Sequence, residues 1–568
     1  MKIFFYGASK TVTGSSFLVE TSDLRLLIDC GMFQGSKIIK ELNYGDFPYD
    51  PKTIDSVILT HAHIDHSGLL PKLITNGYSG PIYATPETIE FCSIMLPDSG
   101  YIQEMEIERK NRKRTRADLP LLKPIYTAKD GLNALKSFIP LKYCQSIELS
   151  KTVSVQLFDA GHILGSAFVV LTITEGESTQ KIVFSGDIGT TNQPYIEDPT
   201  LIEEADLIIM ETTYGNRIHE NKVNRLEILA DVINAAHAKG GNIIIPAFAI
   251  ERTQDILYYL QQLQIEQKIP KLPVYIDSPL AIAATKVFQK NTTNFDEEST
   301  ALIENGNNPL TMENLNFSET TEESIRLNSI TQGAIIISAS GMADAGRIKH
   351  HLKHNLWRSN ATIVFVGYQA EGTLGRRLID GTKEVTIHGE NISVNASITQ
   401  LPSFSAHADQ TELLEWVMKT GKHAKGIILV HGEENSAQGF SILLEQHLAK
   451  KPIVPDLGEC ISYFDNEIIQ IKPEKPWIQA LEEKLLSATK IKDRDNNLKS
   501  SETKYTSRKF SRPKKVLQSE VNHSYYKLKK NLKLFVDNAK KERDYSFIIE
   551  TLNQISQILT ESKNKHRL

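Results

Sequence analysis

The sequence predicts an α/β protein in which a domain of parallel strands and helices interrupts a strand-rich domain. Three observations lead to this prediction. Short runs rich in β-branched and aromatic residues fill residues 1–211, as is typical of strands. Between 212 and 380, apolar runs alternate with helical patterns, which favours a parallel sheet flanked by helices. Strand-rich sequence then returns over 381–472, so the first domain closes after the interruption.

The individual elements follow from composition and turn residues. Strands in 1–211 are predicted at KIFFYG, FLVET, LRLLIDCG, SVILTHAH, PIYAT, VSVQLFDAGH, KIVFSGD and ADLIIMETTYG. Helices are predicted at about 68–76 and 86–113. In 212–380 the runs IIIPAFA, LPVYIDSP, GAIIISASG and ATIVFVGYQ each precede a helical pattern. The polar stretch 290–325 is predicted to form a loop or cap.

The charge of the chain is distributed unevenly. The 568 residues have a formal net charge of −5. Residues 481–568 contain 21 basic and 11 acidic residues, against 43 and 58 in the remainder. The C-terminal extension, 473–568, is therefore predicted to be a basic, partly helical appendage on an acidic body. Such a tail binds RNA or another protein, or is a solvated helical extension; both interpretations stay open.

Cysteine usage and hydropathy indicate a cytoplasmic protein. The four cysteines are far apart in sequence and form no CxxC pair, so neither a disulfide framework nor a cysteine zinc site is expected. No apolar run approaches the ~18 residues of a membrane span, and no membrane association is expected. The N-terminus reads as a first strand rather than a signal peptide.

A histidine cluster follows the predicted strand SVIL. The stretch THAHIDHSG places His61, His63, Asp65 and His66 within six residues. In extended backbone, residues two apart point to the same side, so His61 and His63 can share a ligand. Neutral imidazole and carboxylate are good ligands for zinc and similar ions. Without a metal, crowded imidazoles would repel one another once protonated, so a metal site is the favoured interpretation.

More candidate ligands follow other apolar strands. His162 follows VSVQLF in DAGH, Asp187 follows KIVF in SGD, and His431 follows GIILV in HGE. A glycine beside each allows close approach to an ion. Each signal is weak alone, but their recurrence at strand ends predicts a composite site.

These motifs resemble a known family. HAHIDHSG, DAGHILGS and FSGDIG, in this order, are similar to the signatures of the metallo-β-lactamase superfamily, and Asp29 in LLIDCG matches its first, supporting acidic motif. Glu211 in METTYGNR, His407 in FSAHAD and His431 in LVHGE resemble motifs A, B and C of the β-CASP branch. The resemblance covers about 1–470 and is to bacterial RNA-processing members, which are similar to the nuclease subunit of the cleavage and polyadenylation specificity factor. It implies an αββα sandwich with an inserted parallel α/β β-CASP domain and an active site in the cleft between them.

The resemblance also implies roles for the motif residues. Two zinc ions per chain are expected, the first held by His61, His63 and His162, the second by Asp65, His66 and His431. Asp187 would bridge them. His407 would be the general acid, with Glu211 holding its ring and favouring its protonated form.

Further residues near these motifs and in the insert are predicted to contact the substrate. Phosphate requires N–H, hydroxyl or guanidinium donors, and the candidates are Ser403, Ser405, Ser340, Arg347, Thr373 and Arg376. Helix caps and solvated arginines explain the same residues equally well. The basic run 109–116 either steers RNA or is an exposed helix.

The implied function is zinc-dependent hydrolysis of RNA phosphodiester bonds. Within the β-CASP branch, a histidine at motif C marks RNA-type members, and His431 fits. Exonuclease and endonuclease action both stay open, and a homodimer is possible. A lactamase-like small-molecule hydrolase is disfavoured by the long insert. A non-catalytic scaffold subunit is disfavoured because no ligand is missing. Entry of RNA into the cleft is expected to require domain opening.

Overall fold

The computed structural model describes residues 1–481, apart from 220–224, 368, 370–371, 402–403, 449, 465–466, 476 and 479–480. The predicted basic tail therefore lies outside the described residues from 482 onward. Within the described ranges, no helix has both the length and the apolar character that crossing a membrane requires.

The first part of the chain is rich in short strands. Its strands are β1 (Lys2–Phe5), β2 (Phe17–Glu20), β3 (Arg25–Ile28), β4 (Ser56–Ile58), β5 (Ile82–Ala84), β6 (Phe138–Pro140), β7 (Ile147–Glu148), β8 (Val153–Asp159), β9 (Ala167–Glu175), β10 (Ser178–Phe184) and β11 (Leu207–Glu211). Its helices are α1 (Lys37–Glu41), α2 (Ile64–Ser67), α3 (Leu70–Thr75), α4 (Pro86–Arg116) and α5 (Ala128–Ala134).

The middle part alternates strands and helices. Its helices are α6 (Arg225–Ala238), α7 (Arg252–Ile265), α8 (Pro279–Lys290), α9 (Glu297–Glu304), α10 (Thr321–Leu327), α11 (Ile348–Asn355) and α12 (Leu374–Ile379). Its strands are β12 (Ile243–Pro246), β13 (Val274–Ile276), β14 (Leu315–Phe317), β15 (Ile335–Ser338), β16 (Thr362–Phe365), β17 (Glu384–Ile387), β18 (Glu390–Ser393) and β19 (Ser397–Gln400). The last part contains α13 (Gln410–Thr420), β20 (Gly426–Val430), α14 (Glu434–Leu448), β21 (Cys460–Phe464) and β22 (Glu467–Ile471).

Two sheets face each other across one apolar core. One has the order β22-β21-β1-β2-β3-β4-β5-β6 and the other β20-β11-β10-β9-β8-β7. Both contribute buried side chains to the same cluster, such as Phe5 and Leu26 from the first and Leu157, Val169 and Ile209 from the second. Strands from before and after the insert thus share both sheets, because β21 pairs with β1 and β20 with β11.

Helices cover the outer face of each sheet. Leu70 of α3 and Phe91 of α4 pack in one core with Val57 of the first sheet. Trp416 of α13 and Phe440 of α14 are buried with strand residues of the second sheet. This four-layer arrangement confirms the predicted αββα sandwich.

The inserted domain is built on a third sheet, with strand order β14-β13-β15-β12-β16-β19. Each pairing in it is parallel, as the strand–helix alternation predicts. Helices α6, α7 and α8 pack on one face and α11 and α12 on the other.

One expectation about the insert needs correction. Residues 290–325, predicted as a loop or cap, contain α9, the sheet strand β14 and the start of α10, since their few apolar residues are enough to pack against the insert's core. The end of the insert at 380 stays a prediction. Because β19 pairs with β16 and Val385 packs in the insert's core, we propose that the insert ends near 401.

The insert and the sandwich are joined by a continuous apolar seam. Phe91 of α4 contacts Phe288 of α8 with ring centroids 5.7 Å apart. Tyr195 of the sandwich lies 5.6 Å from Phe288 and 5.6 Å from Tyr258 of α7. Both domains thus bury part of their apolar surface against each other, which fixes their relative position near this seam.

Gly31, in the turn after β3, is packed closely against the neighbouring loop of the site. A Cβ on Gly31 would stand 1.7 Å from the carbonyl oxygen of Asp65, so Gly31→Ala must displace the backbone that carries Asp65. We expect this substitution to lower the free energy of unfolding by about 1–3 kcal/mol. Chemical denaturation measures the change.

The matched control is Gly45→Ala, because a Cβ there meets only one atom, at 3.8 Å, and the backbone has φ −71°. It should be neutral or stabilise by up to about 1 kcal/mol. Equal stability of the two variants would contradict the close packing of the loops.

Candidate active site

Four loops at one edge of the sandwich bring the predicted ligands together. His61 and His63 follow β4, and His63 is the N-cap residue of α2, which carries Asp65 and His66. The loops after β8, β10 and β20 supply the other candidates, His162, Asp187 and His431. A strand end fixes the backbone position, and the following loop turns the side chain towards the common centre.

The first group consists of three histidines. His61 Nε2 lies 3.2 Å from His63 Nδ1, and His162 Nε2 lies 3.3 Å from the same atom. His61 and His162 are buried. The two-residue spacing of His61 and His63 therefore does place both rings on one side.

The second group contains Asp65, His66 and His431. The Nε2 atoms of His66 and His431 are 3.2 Å apart, and His431 Nε2 lies 3.7 Å from Asp65 Oδ2. His431 has φ 45°, and its backbone N–H donates to the carbonyl of Ala8 at 2.6 Å. The loop after β1 thus positions a histidine that lies far away in sequence.

Asp187 lies between the two groups. Its Oδ2 is 3.5 Å from His61 Nε2 and 3.6 Å from His162 Nε2. Its Oδ1 is 3.3 Å from His66 Nε2 and 3.3 Å from His431 Nδ1. One carboxylate therefore faces both groups, which is the geometry that a bridging ligand requires.

Asp29 supports the second group from behind. This buried carboxylate accepts a hydrogen bond from His66 Nδ1 at 2.7 Å and from the backbone N–H of Thr60 at 2.8 Å. The bond to Nδ1 orients the ring and leaves Nε2 turned towards Asp187, as is usual for the partners of metal-binding histidines.

The neutral state of the first histidine group and the ionised state of Asp187 suit metal binding. Burial lowers the pKa of His61 and His162 well below the usual range and that of His63 to about 4, so these imidazoles are neutral. Burial would raise the pKa of Asp187, but the neighbouring histidines, His431 foremost, hold it well below its ordinary value. For His66, burial is outweighed by the carboxylates of Asp187 and Asp29, which raise its pKa.

The donor set fits divalent metal ions. Two sets of ligand atoms, each within 4.8 Å of one another, are offered by His61, His63, His162 and Asp187 and by Asp65, His66 and His431. Asp187 Oδ1 is buried and has no hydrogen-bond partner among the described residues. An ion at this position would satisfy the oxygen and supply the positive charge that the carboxylates attract.

A second pair of residues lies beside this cluster. His407 Nδ1 donates to Glu211 Oε1 at 3.1 Å and Oε2 at 3.2 Å. Glu211 is fully buried and also accepts from the backbone N–H of Ile188 at 2.5 Å. On the other side of the ring, His407 Nε2 lies 4.0 Å from Asp187 Oδ2, and the side chain is 21% exposed. The imidazole is thus held by Glu211 and directed at the centre.

This pairing changes the acidity of His407. Burial alone would lower its pKa, but the carboxylate of Glu211 and its hydrogen bond raise the pKa to about 9. The ring therefore carries a proton at neutral pH and can donate it from Nε2.

The residues predicted to contact the substrate differ in their surroundings. Ser405 is buried and accepts from the backbone N–H of His407 at 3.4 Å, and Ser403 lies outside the described residues. Ser340 is partly buried, in the loop after β15. Their contact with substrate stays a prediction.

The other three predicted contacts have structural partners. Arg347 donates to Asp277 Oδ1 and to the carbonyl of Ser318, each at 2.8 Å. Thr373 caps α12, and Arg376 pairs with Asp380 at 2.9 Å. These contacts match the helix-cap alternative, and the bound guanidinium of Arg347 has little capacity left for phosphate.

Phe248 was not predicted. It follows β12 of the insert, is 38% exposed, and its ring lies 6.5 Å from that of His63. An exposed aromatic ring beside a hydrolytic centre is suited to stacking on a base. The sequence does place this phenylalanine directly after the strand end IIIPA. A phenylalanine at that position is equally typical of a buried core residue.

In comparisons with known proteins, three family descriptions match successive parts of this chain. Residues 10–232 match the metallo-beta-lactamase superfamily, 253–378 the Beta-Casp domain, and 391–455 the Zn-dependent metallo-hydrolase RNA specificity domain.

Curated relatives match over most of the chain. A ribonuclease of Thermus thermophilus is 37% identical over 78% of this chain and 96% of its own length. Transcription termination factor FttA of Methanocaldococcus jannaschii is 31% identical over 80% of this chain and 70% of its own. An RNase J-like protein of the same organism is 30% identical over 80% and 98%.

The split sandwich, the inserted parallel sheet and the His/Asp centre all agree with these matches. The chain is a metal-dependent hydrolase that belongs to the β-CASP branch of the metallo-β-lactamase superfamily.

Proposed function

We propose that the chain is a zinc-dependent ribonuclease that cleaves RNA phosphodiester bonds at a centre of two ions. The observation that carries this proposal is the position of Asp187 between two ligand groups, with the imidazole of His407 beside it. The ribonuclease of Thermus thermophilus, similar along nearly its whole length, supports RNA as the substrate. We also propose the cytoplasm as the location, which agrees with four unpaired cysteines.

The residues divide between the ions as the two groups divide in space. His61, His63 and His162 would hold one zinc ion, Asp65, His66 and His431 the other, and Asp187 both. Such ions neutralise charge on phosphoryl oxygens and make water a better nucleophile near neutral pH. The buried Asp29 keeps His66 in the tautomer whose Nε2 is available.

The proton for the departing oxygen comes from His407. Its Nδ1 is bound to Glu211, so Nε2 is the atom free to donate towards the centre. A general acid works best when its pKa lies near or above the working pH, and Glu211 supplies that increase. Glu211 is thus a positioning residue that also sets the acidity of the ring.

Removing the acid separates chemistry from metal binding. We expect His407→Ala to lower kcat on RNA about 100- to 10,000-fold while two zinc ions per chain remain bound, because its ring is no ligand. Asp65→Ala should lower both activity and zinc content, since its oxygen belongs to the second group.

Elemental analysis measures the zinc content, and initial rates measure the activity. The matched control is His423→Ala, because His423 is exposed, and this variant should retain both zinc content and activity. Full ribonuclease activity in the two site variants would overturn the mechanism.

The pH dependence tests Glu211. The carboxylate raises the folded-state pKa of His407, so the acid form persists into the alkaline range and is lost as pH rises through that value. In Glu211→Gln the pKa falls, and the alkaline limb of kcat against pH should move to lower pH. An unchanged limb, with activity merely scaled down, would show that Glu211 acts on geometry alone.

A further inference from the structure

The outer face of α11 and the turn after it carry basic and aromatic side chains, of which His350 and Trp357 are exposed and Lys349, Lys353 and His354 are partly buried. Its inner face is formed by the buried Ile348, His351, Leu352 and Asn355. The opposite face, called here the α11 stripe, presents Lys349, His350, Lys353, His354 and Trp357. Lys349 and Lys353, like His350 and His354, are four residues apart and so share one side of the helix, and Trp357 lies in the turn after the helix ends at Asn355. Trp357 is 54% exposed, which is uncommon for the largest apolar side chain.

The flat rings of the stripe are held in place. His388, in the turn between β17 and β18, stacks on His350 with centroids 4.5 Å apart and planes at 28°. The guanidinium of Arg358 lies over the ring of Trp357 at 5.4 Å. Rings that are already ordered lose little entropy when another flat group stacks on them.

Positive charge gathers here from three elements. Lys349 has no ion-pair partner among the described residues, whereas Lys353 pairs with Glu390 at 2.6 Å. Arg109 of the long helix α4 is near enough to His388 to affect it. Burial first, then His350, Lys349, Lys353 and Arg109 lower the pKa of His388.

The pKa values of the other two stripe histidines are lowered for similar reasons. Burial and then the neighbouring cations lower the pKa of His350 and His354. Asp277 is the acidic group that opposes this for His350, but it is buried and already bonded to His351 and Arg347. The stripe is therefore a site of positive potential that an anion would relieve.

The loop before α11 lies beside the catalytic cleft. It contains Gly341, where a Cβ would stand 2.9 Å from the ring of Phe248, and the ring of Phe248 lies 6.5 Å from that of His63. From Lys349 to His354 the helical part of the stripe extends about 8 Å at 1.5 Å per residue, and Trp357 follows it in the next turn. The stripe is therefore at least as long as about two stacked nucleotides at ~3.4 Å each.

We propose that the α11 stripe binds single-stranded RNA outside the cleft, with bases stacked on Trp357 and His388 and phosphates bound by Lys349. This inference rests on the proposed ribonuclease function. Alternating cations and aromatic rings are the usual means of holding single strands. A protein partner fits less well, because interface centres are depleted in lysine.

The test compares substrates of two lengths. The full-length wild type is compared with the double variant Lys349→Glu/Trp357→Ala, and each is assayed on RNA oligonucleotides of about six and about thirty nucleotides. The short oligonucleotide fills the cleft without reaching the stripe. We expect kcat/KM on the long substrate to fall about 10- to 100-fold in the variant, with a shallower salt dependence, and cleavage of the short one to be unchanged. Trp357→Phe should retain most of the long-substrate activity.

The matched control is Lys422→Glu/Ile442→Ala, which removes an exposed lysine and an exposed apolar side chain elsewhere and should leave both substrates unaffected. Equal kcat/KM of wild type and stripe variant on the long RNA would overturn the proposal. So would a change in sedimentation mass with unaltered RNA affinity, which would assign the stripe to a second copy.

The stripe proposal can be tested even if the proposed ribonuclease function is wrong. If wild type cleaves neither oligonucleotide, fluorescence anisotropy with the labelled thirty-nucleotide RNA still decides the stripe: weaker binding by the variant supports it, and equal binding overturns it.

Discussion

The buried carboxylate of Asp187 is the interaction on which the active centre depends. It stands between two groups of histidines, with oxygens 3.3–3.6 Å from four ring nitrogens. A buried carboxylate costs several kcal/mol unless positive charge and hydrogen bonds compensate for the lost water. Here the compensation comes from histidines on three other loops, those after β4, β8 and β20, so the loops must converge for the charge to be tolerated. That requirement explains why the turns are tightly packed, with glycines such as Gly31 and Gly189 standing against the carbonyls of Asp65 and Gly161.

The inserted domain is more than a cover for this centre. Glu251, at the start of α7, has φ 67° and ψ −64°, and its buried Oε2 accepts from the backbone N–H of Leu164 at 2.9 Å. Leu164 is two residues from His162, so the insert helps to hold a ligand loop of the sandwich. Together with the apolar seam at Phe91 and Phe288, this contact opposes a wide rotation of the insert.

Much of the fold could be predicted from local pattern. Alternating composition indicated the sandwich strands, and the strand–helix alternation indicated the parallel sheet. The prediction failed at 290–325 because a short strand such as Leu315–Phe317 is too brief to show a period, and its role comes from pairing with β13. The end of the insert at 380 stays a prediction, because β19, Ser397–Gln400, reads as any edge strand in the sequence, and its pairing with β16 supports a later end.

For the site, the sequence by itself determined which residue types were available: the His61–His66 cluster, and single acids and histidines at other strand ends. Residue type and spacing are local, and strands end where their loops begin. Only the tertiary structure decided that Asp187 faces both groups, that Glu211 holds His407 across 196 residues of chain, and that Arg347 is bound to Asp277. The physical reason is that a pKa, a hydrogen bond or a shared ligand depends on distances between atoms, and these distances are set by sheet pairing and core packing rather than by neighbours in sequence.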